Sequence, residues 1–156
     1  EYNKKIKNGN MITFLEEVIV SAVIAAAWTS FYGGGITEDV IATLSGALVT
    51  ILARYLKILA PNEMVLNFLL SFFVASLAYV CASVGITQDY GKIIIGNIML
   101  LVPGVAFVNA IRDIADTDFL SGLVRMIDAL LVFVYIAIGV GVTLSIYNTM
   151  MGGILR

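Results

Sequence analysis

Apolar residues fill the chain in five long blocks, and each block ends in a short connection rich in glycine, proline or charge. A hydrocarbon core about 30 Å thick is crossed by about 20 apolar residues in helical form. The stretches that fit are Phe14–Tyr32, Val40–Leu59, Met64–Val84, Ile93–Ile111 and Leu123–Tyr147. The second is the weakest because Arg54 and Lys57 interrupt it, although their aliphatic stems can carry the charges towards the headgroups. GGGITED, APNE, GITQDYGK and the acidic stretch after Ile111 contain the residues that stop helices. The pattern predicts an all-α membrane protein: a bundle of five transmembrane helices in a single transmembrane domain over residues 1–156.

Small residues recur every four positions on several spans. Ser21, Ala25, Thr29 and Gly33 line one edge of the first, Ala42 and Gly46 the second, and Ala137, Gly141 and Ser145 the fifth. In lipid such a stripe lets helix backbones approach closely, within the chain or against a partner subunit. No 20–50-residue internal repeat is evident.

Composition narrows the class. With 60% hydrophobic and 13% charged residues and a mean hydropathy of +1.00, the chain cannot be a soluble domain of this size. The net charge of -2 and the scattered Lys and Arg exclude a nucleic-acid partner. There is no histidine, and the single cysteine, Cys81, lies in an apolar run as a packing residue, so no metal site and no cofactor is expected. The chain opens EYNKKIKNG with neither an initiator Met nor a signal-peptide pattern, and is expected to be a piece or processed form of a longer protein. Lys4, Lys5, Lys7, Arg54, Lys57, Arg112 and Arg125 fall on one side, Lys92 and Arg156 on the other. The positive-inside rule then predicts a multi-pass protein of the cell membrane, N-terminus cytoplasmic and C-terminus outside. Because the number of spans is odd, a similar unit fused after it would insert inverted, as in many secondary transporters. Glu16 and Glu17 suit the start of the first span.

The candidate chemistry lies in and after the fourth span. Pro103 cannot donate to the carbonyl of Met99, and Gly104 frees the backbone, so this helix is expected to break at Pro103-Gly104. A broken helix at membrane depth exposes N–H groups and a positive dipole end that suit a carboxylate. Asn97 precedes the break; Asn109 and Asp113 share a face beyond it. A carboxylate there needs a partner, for which Arg112 and Arg125 are the candidates, with Asp128 one turn past Arg125. Asp116 and Asp118 are expected to meet water in the turn.

These residues carry a resemblance. LLVPG at Leu100–Gly104, Asn109-Ala110, Asp113, SGLVR at Ser121–Arg125, and Gly34-Gly35 with Asp39 resemble the membrane half of the threonine/serine exporter (ThrE) family, over roughly residues 18–147. Thr117 stands in the turn where relatives often carry glycine. The resemblance implies five helices per unit, an upstream cytoplasmic domain and a second membrane half, fused or separate. It also implies ion-driven export of threonine and serine, or of dicarboxylates such as succinate in two-subunit relatives.

The expected function is therefore one half of a secondary exporter of small carboxylate-bearing metabolites, set in the lipid bilayer with a second half or as a homo-oligomer. Substrate binding is assigned to Asn97, Pro103, Gly104, Asn109, Arg112 and Arg125, and proton or ion coupling to Asp113 and Asp128. Two competing classes are a non-transporting scaffold subunit and an intramembrane aspartyl hydrolase. The hydrolase needs two carboxylates converging on a water.

Overall fold

The computed structural model describes the backbone of residues 2–59, 62–87 and 89–152, and side chains within 14–58, 62–87 and 89–150. Lys4, Lys5, Lys7 and Arg156 of the charge count lie outside the described side chains. The element order is α1 Tyr2–Phe31, α2 Ile36–Leu59, α3 Glu63–Ser83, α4 Tyr90–Leu101, α5 Gly104–Ala115 and α6 Phe119–Gly152, with no strand among the described residues. Four helices are long and apolar enough to cross a membrane singly, and α4 with α5, bent by 53° at the break, makes a fifth span. The chain is an all-α, multi-pass membrane protein.

Helix ends overrun the apolar blocks. α2 starts at Ile36, four residues before Val40, because the Glu38 carboxylate accepts the Gly35 amide at 2.9 Å and its charge suits the first turn. α6 starts at Phe119 and continues beyond Tyr147. Hydropathy marks where lipid ends, whereas the backbone ladder continues until a breaker stops it. α1 and α3 end at Gly33 and Gly85, which take φ of +78° and +79°. The same role at the end of α5 falls to Thr117, at φ +75°, where the Asp118 amide reaches back to the Asp113 carbonyl at 3.0 Å. A β-branched residue is strained there, which explains why glycine suits this turn.

Close backbone approach decides the packing. α1 lies against α2 and α4, α3 against α6, α4 and α2, and α5 chiefly against α6. A Cβ at Gly46 would fall 2.8 Å from the Ala25 Cβ, and one at Gly96 would meet the Thr29 hydroxyl and stand 2.9 Å from the Ala25 carbonyl. The Ser21–Ala25–Thr29 edge is thus an intrachain seam that receives two helices. Ala25, Ala42, Ala75 and Ala78 are wholly buried in the core around it, with Cys81 packed at its margin. The small hydroxyl residues inside bond back to their own helices: Thr29 donates to the Ala25 carbonyl, Ser45 to Ala42 and Ser71 to Phe68. In lipid an unpaired hydroxyl would be costly, so this local pairing is what permits burial.

On the last span the seam is displaced by two residues. Gly139 is the contact: a Cβ there would meet the Ser71 hydroxyl and the Phe68 carbonyl oxygen, the latter at 2.7 Å. Gly141 has open space around it, and Ala137 and Ser145 are exposed. A two-residue shift turns a helix by about 200°, given 3.6 residues per turn, so this stripe faces outward.

Gly139→Ala should therefore cost about 1–3 kcal/mol of stability through overpacking, whereas Gly141→Ala should stay within about 0.5 kcal/mol. Thermal unfolding in detergent distinguishes them, and equal effects would contradict the packing. Thr117→Gly relieves a left-handed β-branched residue and should stabilise by about 1 kcal/mol after the added chain entropy of glycine. A lowered unfolding midpoint would count against strain in that turn.

Candidate functional site

Pro103 organises the site by lacking an N–H. α4 closes with the Val102 amide on the Ile98 carbonyl at 3.1 Å, and α5 opens with Phe107 donating to the Pro103 carbonyl at 3.0 Å. The Gly104 amide donates to the Val102 carbonyl at 2.8 Å, but the next amides have no intrahelical acceptors, and no side chain caps the start of α5. Pro103 and Ala106, at that end, line a cleft of about 340 Å³ between α3, α5 and α6.

Helical spacing supplies the walls. Pro103, Ala106 and Asn109 recur every three residues down one side of α5, and Arg125, Asp128, Ala129 and Val132 form one face of α6. Glu63, in the first turn of α3, completes the lining. α5 and α6 come together at Gly122, where a Cβ would stand 2.8 Å from the Ala110 carbonyl. Three residues on along each helix, Arg125 Nη1 meets Asp113 Oδ2 at 2.6 Å. The Asp113 side chain is 28% exposed and that of Arg125 is 59% exposed, so the cation is held yet accessible. The polar lining is two carboxylates, Glu63 and Asp128, one guanidinium already engaged by Asp113, and the Asn109 amide.

Of the eight residues singled out from sequence, Pro103, Asn109, Arg125 and Asp128 line this cleft, and Asp113 joins it through Arg125. Gly104 stands at the break with open space around it. Arg112 does not line the cleft; it pairs with Asp116 at 3.5 Å, both side chains being mostly exposed. Asn97 is wholly buried elsewhere, donating to Ser45 Oγ at 2.8 Å and the Ile93 carbonyl at 2.9 Å, with its Oδ1 unpartnered among the described residues. It joins α4 to α2. Glu63 was missed because its APNE connection read only as a helix stop. Its one sequence signal was an acid on the side where the other charges collect.

The opposite end of the bundle is bridged. Thr87 donates to Glu38 at 2.7 Å, Lys92 to the Gly33 carbonyl at 2.8 Å, and Ser30 to Asp39. The Tyr79 ring lies between Tyr90, tilted by 40°, and Tyr147, on which it stacks, with centroids 4.5 and 4.3 Å away, tying α3, α4 and α6 together.

None of the curated proteins and none of the solved structures compared matches the chain. The family model described as "Putative threonine/serine exporter" (ThrE) matches residues 4–147, which takes in α2 to α5 entire and most of α1 and α6. The break, the Asn109–Asp113 face and the Arg125 contact all lie inside that match, and the chain belongs to the threonine/serine exporter family.

Proposed function

We propose that the chain is one membrane half of a secondary exporter of threonine, serine and similar zwitterionic amino acids, with the cleft between α3, α5 and α6 as its substrate site. The observation that carries this reading is the charge of the lining: one guanidinium beside two carboxylates. An α-carboxylate would take Arg125 and the uncapped amides of α5, its ammonium would take Asp128 and Glu63, and Asn109 would orient the pair. A dicarboxylate would need a second cation where the cleft has acids. Asp113 holds Arg125 until substrate competes for it, and Asp113 or Asp128 carries the coupling proton. The outward stripe of Ala137, Gly141 and Ser145 supports pairing with a second half. Arg54, Lys57, Arg112 and Arg125 at the cleft end, against Lys92 at the other, support a cytoplasmic cleft and N-terminus.

Reconstituted with its second half in liposomes, the protein should exchange labelled threonine and serine, with competition by neutral amino acids and not by succinate. Uptake of succinate in preference to amino acids would overturn the substrate assignment. Absence of exchange across a broad panel would favour a scaffold role.

Within that assay, Arg125→Gln and Asp128→Asn should each lower flux by about tenfold to a hundredfold, the loss of one charge-assisted hydrogen bond. Arg112→Gln should leave flux close to that of the unaltered protein. The reverse ranking would move the site away from this cleft.

A further inference from the structure

At the same end of the bundle a second cleft, of about 450 Å³, opens between α1, α2 and α3. Arg54 and Lys57, in the last turns of α2, line it with Thr50 and Ala53 from the same helix, Glu17 from α1 and Leu66 from α3. It lies outside the exporter site and none of the residues assigned above contributes to it.

Two observations point to an anion with an apolar body. The Arg54 guanidinium lies 4.6 Å from the centroid of the Phe14 ring, which holds it in place, yet its nearest carboxylate oxygen, on Glu17, is 4.0 Å away and beyond hydrogen-bond reach. Arg54 thus has an ion pair with Glu17 but no hydrogen-bond acceptor among the described residues, and Lys57 adds a second cation to the lining. The rest of the lining includes an apolar wall: Ala53 and Leu66 stand in the same cleft as the two cations. In a membrane protein apolar side chains beside the charged end of a span meet acyl chains near the headgroups.

We propose that this cleft seats the phosphate of an anionic phospholipid between Arg54 and Lys57, with its apolar body against Ala53 and Leu66. Phosphate is the shared chemistry of a lipid headgroup and a free anion. The apolar wall of Ala53 and Leu66 favours the lipid, because inorganic phosphate gains nothing from it. Basic pockets between helices at the headgroup level are a general means of holding anionic lipid.

The test uses the full chain in detergent, titrated with phosphatidylglycerol or phosphatidylcholine and read by native mass spectrometry. Phosphatidylglycerol should bind saturably and more tightly than phosphatidylcholine. Arg54→Gln and Lys57→Gln should each weaken it about fivefold, Arg54→Lys should retain most of the binding, and Arg112→Gln, a cation at the same end, should leave it unchanged. Both side chains are exposed, and a single symmetric elution peak confirms that the variants stay folded. Equal affinity for the two lipids, or undiminished phosphatidylglycerol binding in both glutamine variants, would overturn the proposal. Displacement of the lipid by an equal concentration of inorganic phosphate would reassign the cleft to a soluble anion.

Discussion

One missing hydrogen-bond donor shapes the working end of this bundle. Because the Pro103 nitrogen carries no proton, α4 stops at Leu101, and the chain leaves its axis by 53° before α5 begins. That turn delivers α5 to α6, where Gly122 removes the side chain that would hold the two backbones apart. Only at that separation does Asp113 reach Arg125, and only then do the Asn109 and Asp128 faces enclose a cleft with Glu63. An unbroken helix would have carried Asn109 and Asp113 on along the axis of α4, away from α6.

The two ends of the bundle are built differently. Thr87 on Glu38, Lys92 on Gly33 and the stacked tyrosines tie the connections at one end to each other. At the other, charged side chains line open clefts and α5 packs chiefly on a single neighbour. In the middle, alanine, glycine and self-bonded hydroxyls let α1, α2 and α4 approach closely, which fixes the frame against which α5 is bent. Close packing there replaces the water-driven burial that holds a soluble core together.

Much of the organisation was readable from the residues. The spans followed from apolar length, the break from Pro103-Gly104, and the α1 and α2 seam from Ala25, Thr29 and Gly46, because each depends on a local property of the backbone or on one helical period. Thr117 was noted where glycine is usual, and its positive φ shows why. Other features were not local. Gly139 rather than Gly141 meets α3, since helical spacing gives a stripe but not its rotation about the axis. Arg112 and Arg125 looked equivalent beside Asp113, yet only Arg125, across on α6, reaches it, while Arg112 pairs with Asp116 on its own side of the turn. Asn97, expected two turns before the break as a substrate ligand, bonds across to Ser45, 52 positions away.

By itself the sequence determined that this is a helical membrane protein, where its fourth span breaks, and which side collects the charge. These follow from hydropathy, from a ring that cannot donate a hydrogen bond, and from counting. Tertiary structure alone decided which charges meet, because partners on different helices are set by how each helix is rotated and how near glycine lets it come. Glu63 shows this most directly: an acid in the first turn of α3 becomes a wall of the cleft only when α3, α5 and α6 are placed side by side.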